Sequence, residues 1–167
     1  HYGIDLPAYS IHAHTSSSKI RRAIQEIMAG QNAAYMTDSG TPGISDPGAA
    51  LVAAARDEEI RVIPLPGPSA LSAILSITGF PGKEAVFGGF LSKKEGKRKK
   101  ELQKFSNFDG IIVLYESPYR VTKLLTAINE VFPDSSIVIG RELSKIHEEV
   151  ISGKIADIMN HVESITL

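Results

Sequence analysis

The chain has 167 residues, 18 Lys and Arg against 19 Asp and Glu, a formal charge of −1 and 43% hydrophobic residues. That is the makeup of a globular protein of one or two compact domains, and it excludes disordered, collagen-like and coiled-coil readings. The longest apolar run, Ala49 to Ala55, is far below the roughly 18 residues of a membrane-spanning helix, and zero cysteines remove disulfides, thiolate metal sites and cysteine nucleophiles together, in keeping with a cytoplasmic protein.

In chain order, Tyr9 to His12 is a weak strand candidate, and Ile20, Ala23, Ile24, Ile27 and Met28 then recur at helical spacing. Ala33 to Thr37 reads as a strand. It runs into Thr37-Asp38-Ser39-Gly40-Thr41-Pro42-Gly43-Ile44-Ser45-Asp46-Pro47-Gly48, a stretch rich in residues that fix unusual backbone paths: glycines permit positive φ, and prolines limit the unfolded loop. Asp46-Pro47 predicts a capped helix start, with Pro at the first helical position where its missing N–H costs nothing. Ile60 to Leu65 reads as the next strand, followed by a second Gly/Pro loop, Pro64-Leu65-Pro66-Gly67-Pro68-Ser69-Ala70. Loops at the carboxyl ends of parallel strands are where α/β proteins bind ligands, so the two loops are expected side by side as a cradle of backbone donors and acceptors.

A composition break lies between Gly79 and Lys100, which places a domain boundary near residues 82 to 90: an N-terminal α/β domain over 1–82 and a C-terminal one over 83–167. Past Ala85 to Gly88, a strand candidate, Lys93, Lys94, Lys97, Arg98, Lys99 and Lys100 put six of the 18 positive charges into eight residues. Such a run is either a solvated segment or a contact for phosphates, and no aromatic residue interleaves it for base stacking. Ile111 to Tyr115 is a strand, Ser117-Pro118 a helix start, and Val121, Leu124, Leu125, Ile128, Val131 and Phe132 a strongly amphipathic helix. Ile137 to Ile139 is the last strand candidate and Ile155 to Val162 the last helix. Strands alternating with helices predict an α/β fold with largely parallel strands. An α/β unit ending on a helix asks for one more strand, so the C-terminal domain is expected to lack its last one.

Several common signatures are absent. There is no Gly-rich dinucleotide or P-loop motif, Ser69 is not in a Gly-x-Ser-x-Gly elbow, and His147-Glu148-Glu149 lacks the second His of a zinc-binding helix. His12-x-His14 has no third ligand nearby, so no metal is expected.

Asp38 to Gly48 and Pro66 to Ala70 resemble the paired signatures of the tetrapyrrole-methylase superfamily, and specifically of its 16S ribosomal RNA (cytidine-2′-O)-methyltransferase I branch. Gly89-Phe90-Leu91 followed by the basic run, Tyr115-Glu116-Ser117-Pro118-Tyr119-Arg120, and Arg141 to Glu149 sharpen the likeness, which covers nearly the whole chain. Ser39 stands where that branch usually has Ala. The resemblance also implies that an initial strand, a ligand loop and an acidic segment precede this stretch, and that a strand follows it.

The resemblance implies two α/β domains with S-adenosylmethionine in the cleft between them, a homodimer, and 16S rRNA or the small ribosomal subunit as substrate. The donor would be lined by Asp38, Ser39, Gly40, Thr41, Pro42, Ile44, Ser45, Asp46, Pro68, Ser69 and Ala70, with Tyr115 from the other domain. Glu116, Arg120, Arg141, Glu142 and Lys145 are the charged candidates for a general base or for stabilising an alkoxide. Lys93, Lys94, Lys97, Arg98, Lys99 and Lys100 would contact RNA. Two alternatives stay open at this point: methylation of a tetrapyrrole or other small metabolite, and a non-catalytic RNA- or partner-binding fragment.

Overall fold

The computed structural model describes residues 6–82 and 84–164, with side chains up to 160. Its contacts group the chain into two compact units that divide between Ser69 and Ala70, so the composition break after Gly79 falls inside the second unit.

The first unit contains α1 (Ser17–Met28) and α2 (Ala49–Asp57), which pack on each other. Among the described residues, Ile24, on the apolar stripe of α1, and Ala55 of α2 are its buried hydrophobics. The segments Tyr9 to His12, Ala33 to Thr37 and Ile60 to Leu65, expected as strands, are irregular. The correction has a simple cause: β-branched and apolar residues favour extended backbone, but a strand exists only where a neighbour completes its ladder, and among the described residues these segments have none. The start of α2 is also shifted. Gly48, with φ 132°, is the residue before the first turn, in place of Asp46. A Cβ there would lie 2.6 Å from Cε1 of Tyr35, so the ring closes against a backbone that only glycine allows.

The second unit holds α3 (Ala70–Ile77), β1 (Ala85–Phe90), α4 (Glu95–Gln103), β2 (Ile111–Tyr115), a 3₁₀ turn at Pro118–Arg120 running into α5 (Val121–Val131), β3 (Ser136–Arg141), β4 (Glu149–Lys154) and α6 (Ile155–Ser164). β1 and β2 pair in parallel, from Ala85 beside Ile111 to Phe90 beside Tyr115, with a bulge between Phe87 and Gly89. Gly89 takes φ 61° there. β3 and β4 pair antiparallel, from Ser136 opposite Lys154 to Arg141 opposite Glu149. The expectation of largely parallel strands therefore holds for one sheet and not for the other. β4 lies where the sequence pattern predicts no strand, although Val150 and Ile151 are β-branched and burial alternates along it with Ile151 facing inward.

Helix α5 is the centre of this unit because its apolar arc is wide enough for two clusters. Leu124 and Ala127 pack with Leu91 and Leu102, while Leu125 packs with Ile155 and Ile158 of α6 and with Ile137, Ile139 and Ile151 of the β3–β4 sheet. Ile128 belongs to both. Consecutive leucines on a helix point about 100° apart, which is how one helix can serve two cores.

Candidate functional site

The two Gly/Pro loops of the first unit meet. Thr41 donates its hydroxyl to the carbonyl of Pro68 at 3.1 Å, and a Cβ at Gly40 would stand 3.9 Å from that same oxygen. Gly40, Gly43 and Ser45 all have positive φ, at 74°, 81° and 55°, which folds residues 38–46 into successive tight turns. Inside the loop the Thr37 hydroxyl donates to the carbonyls of Ser39 and Gly40 at 3.4 and 3.3 Å, and the Ile44 N–H reaches the Thr41 carbonyl at 3.4 Å. Asp38, Ser39, Gly40, Gly43 and Ser45 are exposed, while Thr41, Pro42, Ile44, Asp46 and Ser69 are half-buried and Ala70 is exposed. Residues expected side by side are thus brought together by a hydrogen bond between loops more than two dozen positions apart. Chemically the pair offers exposed backbone and hydroxyl groups around a half-buried Ile44, a surface for a polar organic ligand with an apolar part.

In the second unit, Tyr115 ends β2 with its ring edge-on to Phe87 at 4.8 Å and to Phe90 at 5.7 Å. Glu116 follows, its side chain 5% exposed. One carboxylate oxygen accepts the Ser117 N–H at 2.8 Å, and the other lies 2.9 Å from the Arg120 guanidinium, an ion-pair contact outside good hydrogen-bonding alignment. Arg120 in turn donates to the carbonyl of Leu91 at 2.9 Å. These bonds join the turn after β2 to the residue after β1, so Glu116 and Arg120 clamp the carboxyl ends of two parallel strands.

The other charged candidates sit around the β3–β4 turn. Arg141 and Glu149 are opposite each other in register, 3.3 Å apart and each about four-tenths exposed. Glu142 and Lys145 form a 3.0 Å pair inside the turn, where Glu142 and Ser144 adopt φ 51° and 65°. The Ser144 N–H donates to the Glu148 carboxylate at 2.5 Å. A shallow groove beside this sheet is lined by Glu116, Pro118, Val121, Ile139, Arg141 and Glu149 among others. It collects Glu116, Arg141 and Glu149 on one surface of this unit.

The basic run divides into different parts. Lys93 and Lys94 precede α4 and are exposed, as are Lys97 and Lys100. Arg98 is 4% exposed. Its guanidinium turns back under the preceding loop toward the carbonyls of Ser92 and Lys93, at 3.4 and 3.5 Å, and its Nε is buried without a hydrogen-bond partner. Arg98 is therefore corrected from an RNA contact to a support for the loop, which Glu101 also holds by accepting the Ser92 N–H at 2.8 Å. Lys99, by contrast, is engaged by carboxylates, bridging Glu95 at 2.7 Å and Glu130 at 2.5 Å. These contacts hold the ammonium pKa above its ordinary value, chiefly through Glu130, and hold the Glu95 carboxyl below its own through Lys99. The Glu95–Lys99 spacing is a legible helix pair, whereas Glu130 comes from another helix and leaves no local signal.

His12 and His14 do not converge on a shared point. His12 Nδ1 accepts the His14 N–H at 3.2 Å, and among the described residues no group of three His, Asp or Glu side chains is placed to hold a metal. No helix among them is long and apolar enough to cross a membrane.

Comparison with known proteins matches residues 3–159 to the family model of Tetrapyrrole (Corrin/Porphyrin) Methylases. Among curated proteins, the chain is 38% identical to the Ribosomal RNA small subunit methyltransferase I of Leptospira biflexa over 149 residues, 89% of this chain and 62% of that protein. It is 40% identical to the protein of the same name in Xylella fastidiosa, over 97% of this chain and 60% of that one. In Borrelia garinii the identity is again 40%, over 98% of this chain and 73% of its relative. The chain thus spans about three fifths of the first two relatives' length. With the family model covering all but the ends and a relative matched across most of its own length, the chain belongs to the tetrapyrrole methylase family, in the branch of the ribosomal RNA small subunit methyltransferases I.

Proposed function

We propose that the protein this chain represents transfers a methyl group from S-adenosylmethionine to the 2′-hydroxyl of a cytidine in 16S rRNA. The observation that carries the reading is the Thr41–Pro68 hydrogen bond, which joins the two Gly/Pro loops into one surface in a chain whose relatives are named ribosomal RNA methyltransferases. The donor is a sulfonium bearing an amino acid and an adenosine, so it needs hydrogen-bonding groups beside an apolar contact. The loops fit it: Asp38, Ser39, Gly40, Ser45, Asp46 and Ser69 supply polar groups, Pro42, Ile44, Pro68 and Ala70 supply apolar surface, and Thr41 keeps the loops in register.

The bound donor supplies an already activated methyl group. What this chain adds is positioning, and proximity alone can account for several kcal/mol of rate acceleration, about 7–11 in well-oriented systems. A ribose hydroxyl attacks poorly while protonated, so a base or a cation beside the developing alkoxide helps. Arg141 suits the second task best: it lines the groove, is partly exposed, and Glu149 fixes its direction. Glu116 and Arg120 act by holding the strand ends, while Glu142 and Lys145 shape the turn that carries Arg141. The exposed lysines of the basic run, Lys93, Lys94, Lys97 and Lys100, serve RNA phosphates. A homodimer in the cytoplasm completes the reading.

The test is transfer of labelled methyl from S-adenosylmethionine to small ribosomal subunits, with nuclease digestion to nucleosides. Label in 2′-O-methylcytidine is expected, and Arg141→Gln should lower the rate about 10²-fold, the scale of losing one transition-state donor. In a parallel incubation with a tetrapyrrole acceptor, label there with none in RNA would overturn the assignment.

A further inference from the structure

The lysines left exposed by the ion pairs of α4 are not scattered. With 100° between successive helical residues, Lys97, Lys100 and Lys104 fall within an arc of about 60°, and Leu102, 1% exposed, lies on the opposite side. Lys104 stands outside the basic run and closes the helix with right-handed helical dihedrals, φ −62° and ψ −22°. All three side chains are exposed. Lys97 touches Glu101 only at 3.9 Å, and no ion pair engages the other two among the described residues. The helix rises about 1.5 Å per residue, so the three ammonium groups are anchored along roughly 10 Å of one line. Lys99, with its carboxylates Glu95 and Glu130, is turned well away from that line.

We infer that Lys97, Lys100 and Lys104 form a track for successive phosphates of a single RNA strand laid along the exposed face of α4, with Lys93 and Lys94 at its entry. The inference rests on the RNA-methylation reading for its choice of polymer. It goes further in naming Lys104, in excluding Arg98 and Lys99, and in predicting contact with phosphates alone. A linear array of flexible point charges suits a repeating backbone. The track carries no aromatic ring for stacking and no guanidinium fork for a base edge, so binding there should be indifferent to sequence.

The experiment measures the affinity of this 167-residue chain for a fluorescent single-stranded RNA of about 12 nucleotides across a salt series. Each phosphate neutralised on a single strand contributes about −0.7 to the logarithmic salt slope, so three lysines account for about a 20-fold loss of affinity between 50 and 200 mM salt. Lys97→Gln/Lys100→Gln/Lys104→Gln should flatten the slope by about 2, while the triple Arg variant keeps it. Lys104→Gln alone should weaken binding as much as Lys100→Gln, and Lys99→Gln should leave it unchanged.

Equal losses from Lys99→Gln and Lys104→Gln would overturn the track in favour of net charge. So would an unchanged slope in the triple Gln variant with its fold intact by circular dichroism, no salt-dependent binding by the parent chain, or equally strong binding of poly-glutamate, which would point to an acidic protein. S-adenosylmethionine affinity should be the same in the triple Gln variant. If methyl transfer to RNA fails while the lysine dependence stands, the functional reading falls and the track survives; if transfer succeeds with the lysines neutral and RNA affinity intact, the reverse holds.

Discussion

Each unit is stabilised internally by different means. From Ala70 onward, burial is concentrated: Leu102 and Ile155 are almost wholly covered, and Leu124 and Leu125 anchor separate clusters from adjacent positions of α5. Up to Ser69, among the described residues, Ile24 and Ala55 are the buried hydrophobics, while Met36 and Leu65 are about four-fifths exposed. The loops assigned to the methyl donor belong to this sparsely buried unit. Their shape rests on glycine and proline geometry and on single hydrogen bonds such as Thr41 to Pro68. Local order without a large core is what a ligand can readily stabilise, because binding free energy adds where intrinsic stability is low.

The widest gap between the units should appear on truncating their cores. Leu102→Ala removes a side chain 1% exposed at the centre of a cluster and should cost about 2–5 kcal/mol by urea unfolding; Ile24→Ala in the first unit should cost less. A larger loss at Ile24 would break the contrast. Gly110→Ala comes next, since a Cβ there would sit 2.6 Å from the Glu84 carbonyl oxygen, and overpacking against backbone typically costs about 1–3 kcal/mol. A donor concentration of 100 times the dissociation constant should stabilise whatever it binds by about 2.7 kcal/mol. Amide exchange should register that in residues 37–70 more than in β1 or β2, and uniform protection would blur the distinction.

The smallest effect is electrostatic and confined to α4. The Lys99 contact holds the Glu95 carboxyl below its ordinary 4.5, so the folded state binds that proton less readily than the unfolded chain. The resulting stabilisation is present above 4.5 and is lost as pH falls through the depressed value. Lys99 works in the opposite sense. Raised above 10.5, chiefly by Glu130, it contributes fully below that pH and loses its contribution as pH rises through the elevated value. Both groups face solvent, so melting curves over these pH ranges should show a slight change that about 1 M salt removes. A change that survives salt would mean the pair is more enclosed than its exposure suggests.

Much of the second unit was legible from periodicity. Ile111 to Tyr115, Ile137 to Ile139 and the apolar stripe from Val121 to Val131 all lie in elements of the expected type, because each carries a local pattern that its packing then satisfies. β4 is not legible in the sequence, since its apolar signal is only Val150 and Ile151, flanked by Glu149 and by Ser152, Gly153 and Lys154. In the first unit the expectation of strands failed because extended propensity cannot supply a ladder partner. Gly/Pro chemistry, by contrast, correctly marked the two loops that meet. Charge alone misjudged Arg98, since sequence shows a positive charge but not the carbonyls of Ser92 and Lys93 that draw it inward.

The central claim, that the joined loops of the first unit receive the methyl donor, is tested most directly by titration calorimetry of S-adenosylmethionine on this chain and on Thr41→Tyr. The phenol would displace the contact to the Pro68 carbonyl and fill the space beside Gly40. Saturable binding by the parent chain, abolished in a variant whose circular dichroism spectrum matches the parent's, is the predicted result. Equal binding by the variant, or none by the parent chain, would contradict it.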